Sequence, residues 1–264
     1  MTGTRHWAPR PWIANPLLRW GLYLGFALYL VVGIGSVEVN WQRLAVGIER
    51  GAAFIAAFAS PDFTARGREI LEGLLESLAM TVVSTVLGVL VSVPIGLGAA
   101  RNLAPAPVYL FCRGIITLSR TFQEVIIAIL FVAMFGFGPL AGMLTLVFST
   151  IGFLSKLLAE DIEDIAPGPA EAVRATGASW LQWLVYGIQP QVMARFIGLS
   201  FYRLDINFRE SAVIGIVGAG GIGATLNTAF DRYDYGTAAA IILVIIAIVL
   251  AAEYSSGFIR RRVQ

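Results

Sequence analysis

The chain has 264 residues, of which 57% are hydrophobic and only 14% are charged, and its formal net charge at pH 7 is +2. A soluble domain of this length usually has about 25% charged residues, so these charges are too few to cover a surface that faces water. The near-neutral balance gives no indication of nucleic-acid binding. The lone Cys112 excludes an internal disulfide, and the single histidine, His6, leaves no metal-ligand cluster. The composition is that of an integral membrane protein.

Stretches long enough and apolar enough to cross a bilayer occur several times along the chain. A hydrocarbon core of about 30 Å needs about 20 apolar residues of helix. Residues 17–37 and 77–100 each meet this requirement, and we expect the first to be an uncleaved membrane helix. A longer charge-free stretch follows, interrupted by Gly136-Phe137-Gly138-Pro139, a sequence typical of a turn. It therefore predicts two spans, residues 115–135 and 139–158.

The last two spans follow from the positive charges near both termini, which place both ends of the chain on the same side of the membrane. Residues 237–257 predict the final span, and the arginine cluster at 260–262 after it is expected to stay in the cytoplasm, as is the basic N-terminus. An even number of crossings then requires a further span, which we place at residues 192–217. The alternative, 211–230, lacks charges but is rich in glycine. The prediction is an all-α polytopic membrane protein with about six transmembrane helices, forming one transmembrane domain over residues 1–264.

Several ionisable or polar residues fall inside the predicted spans, where a charge is costly unless it is paired or hydrated. They are Arg120, Glu124, Arg203, Asp205, Asn207, Arg209 and Glu210. Arg120 precedes Glu124 by four residues, a spacing that predicts an ion pair on one helix face. The same spacing relates Asp205 to Arg209. It also relates Arg203 to Asn207. Two interpretations remain open: these groups neutralise one another and hold the bundle together, or Arg203 or Arg209 lines an electropositive route for an anion.

The segment 160–190 is predicted to project from the membrane as two short helices. Pro167-Gly168-Pro169 ends the preceding helix, and the helix-forming run after it stops at Gly177. Ser179 followed three residues later by Gln182 predicts a capping box at the start of the second short helix. Pro190 is expected to end that helix before the chain enters the next span.

Four residues of this segment have predicted roles. We expect Glu171 to hold the segment together through hydrogen bonds to backbone amides or to Arg174. Gly177 is explained either by a close approach of a partner or by a backbone with positive φ. Trp180 and Trp183 either pack the second short helix onto the membrane helices or present an apolar contact to a partner.

The segment resembles the cytoplasmic loop of permease subunits in binding-protein-dependent ABC importers. That loop has the pattern Glu-Ala-Ala, three residues, Gly, nine residues, Ile-x-Leu-Pro. The matching positions are Glu171, Ala172, Gly177 and Pro190. The departures are Val173 at the second alanine, Gly187 at the isoleucine and Gln189 at the leucine. We call residues 160–190 the coupling loop.

Three further segments extend the resemblance to phosphonate-type permeases over about residues 74–262: DIEDIAPGPAEAVRATGAS, YRLDINFRESAVIGIVGAGGIG and FGFGPLAG. The resemblance implies a type I importer permease in the inner (plasma) membrane of a prokaryote, with both termini cytoplasmic. It implies a homodimer, two ATPase subunits that bind the coupling loops, and an extracytoplasmic binding protein that delivers phosphonate, phosphate or phosphite. ATP and Mg²⁺ would be bound by the ATPase, and this chain would hold neither a cofactor nor a catalytic residue.

The glycine-rich segment after the fifth span is expected to form a close-packed external turn and part of an outer gate. Its glycines are Gly218, Gly220, Gly221 and Gly223. They also spell a dinucleotide-binding pattern, but that pattern needs a strand before it, and here a membrane helix precedes it. The only lysine, Lys156, is not part of a phosphate-binding Walker loop, so the energy for transport must come from a partner.

Three other functions are weighed against this prediction. An importer permease for methionine or an osmolyte would share the glycine-rich segment, and ligand binding by its binding protein would distinguish it. A secondary transporter or channel would need no ATPase and no coupling loop. A membrane enzyme is disfavoured because no Ser/His/Asp, Cys/His or metal-ligand set is available.

Overall fold

The structure, a computed structural model, describes residues 13, 15–36 and 40–263, with side chains described as far as residue 254. This part of the chain is helical and contains no strand, which confirms the all-α prediction. The helices are α1 (Pro16–Gly35), α2 (Trp41–Ala57), α3 (Gly67–Gly98), α4 (Ala106–Thr121), α5 (Glu124–Phe135), α6 (Pro139–Glu163), α7 (Pro167–Ala175), α8 (Trp180–Trp183), α9 (Gln189–Gly215), α10 (Gly221–Asp231) and α11 (Tyr235–Val263). A π-helical turn, Leu184–Ile188, joins α8 to α9.

The chain divides into two compact units, residues 1–53 and 54–264. In the first unit, α1 begins where the Leu17 N–H donates to the Asn15 side chain (3.0 Å), with Pro16 in the first turn. None of the residues of α1 is buried, and the helix is long and apolar enough to span a membrane. Of the predicted span 17–37, residue 37 lies outside the described residues.

The core of the second unit is the packing of α3 along α6. The buried face of α3 consists of small and hydroxyl side chains at helical spacing: Ser77, Thr81, Ser84, Thr85, Gly88, Ser92 and Gly96. Some of them bond directly across to α6: Ser84 Oγ donates to the Met143 carbonyl (3.0 Å), and Ser155 Oγ of α6 donates to the Ser92 carbonyl (3.1 Å). Small residues let membrane helices approach closely, and hydroxyl bonds then join them.

The segment predicted as a third span, 115–135, is not one helix. It is divided between α4 and α5, which meet at an angle of 96°. Phe122 and Gln123 between them have extended backbone, with ψ of 138° and 146°. The bend is held by α6, because Ser119 Oγ donates to the Phe148 carbonyl (2.6 Å) just before it and Ser149 Oγ donates to Glu124 Oε1 (2.7 Å) just after it. The prediction of a continuous helix was wrong because these long-range contacts outweigh local helix propensity.

Four described helices are long and apolar enough to cross a membrane, and the bent α4–α5 pair brings the number to five if it counts as one span. They are α1, α3, α6 and Tyr235–Tyr254 of α11. The 27-residue α9 has the length but carries charged residues, so its crossing of the membrane stays a prediction. The alternative span 211–230 is not continuous, since it is broken between α9 and α10 by the turn that contains Gly218 and Gly220.

Candidate functional site

The coupling loop is built from α7 and α8, with Gly177 at the turn between them. Gly177 has φ of +78°, and a Cβ added there would meet no atom within 4 Å. Of the two reasons predicted for this glycine, the structure of the chain therefore supports the backbone conformation, which favours glycine whatever the space around it. The Gly177 N–H donates to the Arg174 carbonyl (3.0 Å) and closes the end of α7.

The start of α8 is as predicted, and its end is not. A capping box joins Ser179 and Gln182, with the Ser179 N–H donating to Gln182 Oε1 (2.9 Å). Pro190 does not end the second short helix: α8 continues through the π-helical turn into α9, and Pro190 lies in the first turn of α9. Because proline has no N–H, it is accommodated where the π-helical turn already interrupts the α-helical bonding pattern.

Trp183 fastens the two helices of the coupling loop together. Its side chain is 7% exposed, and its Nε1–H donates to the Ala170 carbonyl of α7 (3.0 Å). The Arg174 guanidinium lies over its ring at 4.1 Å. A Cβ on Gly187 would lie 3.3 Å from both Ala170 Cα and the Trp183 ring, so glycine permits this packing where the family pattern has isoleucine. Trp180, in contrast, is 52% exposed. Trp183 therefore packs the second short helix, whereas a contact of Trp180 with a partner stays a prediction.

Glu171 does not hold the loop together as expected. Its side chain is exposed and makes no hydrogen bond or ion pair with the described part of the chain. Arg174, its expected partner, packs on Trp183 instead. Beside Glu171 the loop has an open groove of about 620 Å³, lined by Ala172, Val173, Thr176, Gly177, Ala178, Gln182 and Tyr186. The matched motif residues Ala172 and Gly177 therefore share one surface, whereas Pro190 lies in α9.

The charged residues of α9 form a network with α6 rather than with one another alone. The Arg203 side chain is 4% exposed, and its Nη2 donates to Ser149 Oγ (2.6 Å) and to Glu210 Oε2 (3.1 Å). Its Nε donates to Thr150 Oγ1 (3.2 Å). Asn207, fully buried one turn later, donates to the same Thr150 hydroxyl (3.0 Å). The predicted shared face of Arg203 and Asn207 is thus directed at α6.

The second predicted pair on α9 is present. Arg209 Nη2 lies 3.0 Å from Asp205 Oδ2, and the Asp205 side chain is 7% exposed whereas that of Arg209 is 58% exposed. Asp205 Oδ1 is buried without a hydrogen-bond partner in the described chain. An unpaired carboxylate oxygen away from water is costly, which makes Asp205 dependent on Arg209.

The predicted pair Arg120–Glu124 is absent from the described structure, because the bend between α4 and α5 separates the two side chains. Both instead line a polar cavity of about 360 Å³ at the bend. Ser149 Oγ donates to Glu124, and the Glu124 carboxyl also lies beside that of Glu210. The cavity brings together residues from α4, α5, α6 and α9: Ser119, Arg120, Thr121, Phe122, Gln123, Glu124, Ser149, Phe153 and Arg203.

The glycine-rich segment forms a tight turn packed against the turn between α5 and α6. Gly218, Gly220 and Gly221 have φ of +91°, +80° and +72°, and the Gly138 N–H donates to the Gly218 carbonyl (3.0 Å). A Cβ on Gly221 would collide with Ser77 Oγ, which accepts a hydrogen bond from the N–H of the next residue (2.9 Å). The predicted close packing is therefore observed.

A side chain at Gly223 would collide with backbone atoms rather than with a side chain. It lies in α10, where an added Cβ would collide with the Ala212 carbonyl of α9. A Cβ added to Gly215 of α9 would likewise collide with the Gly220 carbonyl and with Gly223 Cα. The backbones of α9 and α10 therefore approach closely beside this turn, with no room for a side chain between them.

The sequence-based prediction missed the hydroxyl partners of the charged network. Asn207 Nδ2 donates to Thr85 Oγ1 of α3 (2.8 Å), and Ser149 and Thr150 bind Arg203. A signal was available, because the Ser149-Thr150 pair lies within the apolar stretch 146–154 of α6. Hydroxyl residues in membrane helices bond across helices or to their own backbone, and the sequence does not distinguish the two.

The match to known families agrees with this geometry. The family model described as "Binding-protein-dependent transport system inner membrane component" matches residues 92–264, more than half of the chain. The chain therefore belongs to this family of multi-pass membrane components of transport systems, which are transporters rather than enzymes.

Several curated proteins are similar in sequence. "Phosphate-import permease protein PhnE" of Mycolicibacterium smegmatis is 37% identical over 254 residues, covering 94% of this chain and 48% of the relative. "Phosphite transport system permease protein PtxC" of Stutzerimonas stutzeri is 40% identical over 202 residues, covering 76% of this chain and 73% of the relative. "Putative cryptic phosphonate transport system permease protein PhnE2" of Escherichia coli K12 is 44% identical over 119 residues, covering 45% of this chain and 98% of the relative. The chain thus spans about half the length of the first of these.

Solved structures share the fold. The inward-facing MetNI methionine ABC transporter has a chain that matches with a TM-score of 0.65 at 24% identity, covering 74% of this chain and 96% of that one. An amino acid ABC transporter crystallised with histidines matches with a TM-score of 0.64 at 20% identity, covering 76% of this chain and 98% of that one. The fold is therefore that of a type I ABC importer permease.

Proposed function

We propose that this chain is the membrane-spanning subunit of an ABC importer for a small phosphorus oxyanion, such as a phosphonate, phosphate or phosphite. The observation that carries the proposal is the coupling loop, a stiff and exposed pair of helices fastened by Trp183. The phosphorus cargo is supported by the relatives named for phosphate, phosphite and phosphonate transport.

Two cytoplasmic ATPase subunits are the proposed partners of the coupling loop. Large apolar side chains beside the groove point away from the chain: Trp180 is 52% exposed, Leu181 65% and Tyr186 70%. An exposed apolar patch of this kind marks a protein contact. The ATPase subunits would themselves bind ATP and Mg²⁺, and closure of the ATPase pair would pull on both coupling loops.

A second copy of the chain is the proposed partner of α9. From Arg195 onward, the exposed side chains of α9 recur along one face at spacings of seven, seven, four and three residues: Arg195, Tyr202, Arg209, Val213 and Ile216. A half-exposed Arg209 cannot face lipid at low cost, so this face suits an aqueous pathway shared by two copies. The M. smegmatis relative has a second half, not matched by this chain, that is long enough for another such domain.

The opposite end of the bundle is proposed to receive an extracytoplasmic binding protein. The tight turn around Gly218 and Gly221, packed on the turn between α5 and α6, would form part of the outer gate. Both chain termini would then lie in the cytoplasm of a prokaryotic cell, with the coupling loop. Alternating closure of the ATPase pair would open the pathway first to one side and then to the other.

Uptake in proteoliposomes tests the proposal. The reconstituted complex, with ATP inside and binding protein outside, is expected to import labelled phosphite, phosphate or methylphosphonate in a vanadate-sensitive manner. Ala172→Arg, which fills the groove of the coupling loop, should abolish uptake and ATPase association. Arg68→Gln, an exposed residue on α3 paired with Glu72, serves as its control. Vanadate-insensitive uptake, or normal uptake by Ala172→Arg, would contradict the proposal.

A methionine importer is the second candidate. It is favoured by the fold match to the methionine transporter and by "Probable D-methionine transport system permease protein MetI" of Vibrio cholerae, which is 24% identical over 210 residues. The same proteoliposomes distinguish the two, because labelled methionine would then be imported and the phosphorus oxyanions would not.

A further inference from the structure

The polar cavity at the bend between α4 and α5 has the features of an anion site within the membrane bundle. Its volume of about 360 Å³ falls in the range of small-molecule sites, roughly 300–1,000 Å³. Two arginines line it, Arg120 from the end of α4 and Arg203 from the middle of α9. The hydroxyl oxygens of Ser119, Thr121 and Ser149 line it as well, but each O–H is already donated, to the Phe148 carbonyl, the Thr117 carbonyl and Glu124 Oε1 respectively. The side-chain donors that remain for an anion are therefore those of the two arginines.

The two arginines are held differently. Arg203 is fixed by Ser149, Thr150 and Glu210, bonds that use its Nε and Nη2 and leave its Nη1 for a ligand. Arg120 lies at the exposed rim of the cavity and makes no ion pair within the described part of the chain. A planar guanidinium binds the oxygens of phosphate-like anions through two parallel hydrogen bonds, and an unpaired one is free to do so.

The backbone adds a smaller contribution. Helix α5 begins at Glu124 without a side-chain cap, and Phe122, Gln123 and Glu124 line the cavity. The first N–H groups of a helix are unbonded and carry partial positive charge, which favours an anion at that end. Like the two arginines, the start of α5 favours a negatively charged ligand in the cavity.

Two carboxylates counter the arginines: Glu124 lines the cavity, and Glu210, which is outside the lining, accepts a hydrogen bond from Arg203. The four side chains together carry a formal charge of zero. We propose that the cavity is a transit site for the phosphorus oxyanion, in which the anion binds between Arg120 and Arg203 and displaces the Glu210 carboxylate from Arg203 Nη2. This inference rests on the proposed function and names the place in the bundle where its substrate is held.

The carboxylates explain why such a site suits transport. A site along a pathway must bind strongly enough for the anion to enter and weakly enough for it to leave. A carboxylate that returns to Arg203 when the anion moves on keeps the arginine neutralised between cycles. It also limits the affinity of the site, because the anion has to compete with it.

The test is binding of labelled inorganic phosphate and phosphite to the purified permease–ATPase complex, without the binding protein. The wild-type complex should bind either anion, and Arg120→Gln should weaken binding about tenfold or more, since a charge-assisted hydrogen bond is lost. Glu210→Gln should tighten it, because the competing charge is removed. Arg68→Gln, an arginine outside the cavity, should change nothing.

Uptake by the complete importer provides the second readout. Arg120→Gln should lower the maximal rate with little change in KM, because the binding protein still captures the substrate, and Arg120→Lys should restore part of the rate. Absence of anion binding to the wild-type complex, or equal affinities for Arg120→Gln and Arg68→Gln, would overturn the transit site while phosphorus uptake continued. If the wild-type importer took up no phosphorus oxyanion, the proposed function itself would fail.

Discussion

Replacement of Trp183 by alanine should loosen the coupling loop without unfolding the bundle. The side chain is 7% exposed, and removal of a large buried aromatic side chain costs about 3–5 kcal/mol. The loss includes its hydrogen bond to the Ala170 carbonyl and its contact with the Arg174 guanidinium. Because every 1.4 kcal/mol is a factor of ten, even the lower figure raises the opening constant of the loop about a hundredfold.

Hydrogen exchange of the backbone amides measures this opening directly. Amides of α7 should exchange about a hundredfold faster or more in Trp183→Ala, while those of α3 and α6 keep their protection. Trp183→Phe should fall between the variant and the wild type, since it keeps an aromatic ring but loses the N–H donor and the five-membered part of the indole. ATPase association and vanadate-sensitive uptake should decline in the same order.

Trp180→Ala is the matched control, with the same side chain removed three residues earlier. Because Trp180 is 52% exposed, its loss should leave the exchange of α7 unchanged and weaken only the association with the ATPase. The reasoning would be refuted if Trp183→Ala left α7 protected, or if both tryptophan variants increased its exchange equally.

Three other predictions concern backbone and charge. Gly177→Ala should destabilise the coupling loop by about 1–2 kcal/mol through its positive φ alone, seen as faster exchange of α7, and Gly177→Asn should cost less. Gly221→Ala should lower the thermal unfolding midpoint of the complex more than Gly136→Ala, because both have positive φ but only the Cβ at Gly221 collides with a neighbour; equal midpoints would contradict this. Arg209→Ala should abolish uptake while dimerisation and ATPase docking persist, and normal uptake would exclude Arg209 from the pathway. Since that variant strands a buried carboxylate, Asp205→Asn in the same chain should restore lost stability without restoring uptake.

The parts that sequence predicts well are those set by a few neighbouring residues. The capping box at Ser179 and Gln182, the turn at Gly177 and the Asp205–Arg209 pair each follow from spacing within one helix or turn. In such cases the partner of each group lies within four residues. Local geometry then determines the contact before tertiary packing does.

The parts that sequence misses are set by contacts between distant segments. No glycine or proline marks Phe122 and Gln123, and the bend there depends on bonds from α4 and α5 to residues 148 and 149 of α6. Without the bend, Arg120 and Glu124 would pair along one helix as predicted. With it they line the cavity, so the candidate anion site could not have been derived from helical spacing alone.

The same helix connects the coupling loop to the charged network. From Trp180 the chain stays helical through the π turn and α9 to Gly215, so Trp183 and Arg203 lie on one uninterrupted run of helical backbone. Twenty residues of helix separate them, about 30 Å at 1.5 Å per residue. Under the proposed function, a force applied to the loop would be transmitted along α9 to the face that bears Arg203 and Asn207. The π turn and Pro190, which has no N–H, both interrupt α-helical bonding between Trp183 and Arg203, so the helix can bend at this junction. Under the proposed function, movement of the ATPase would shift Arg203 relative to Arg120 on α4 and so change the width of the cavity between them.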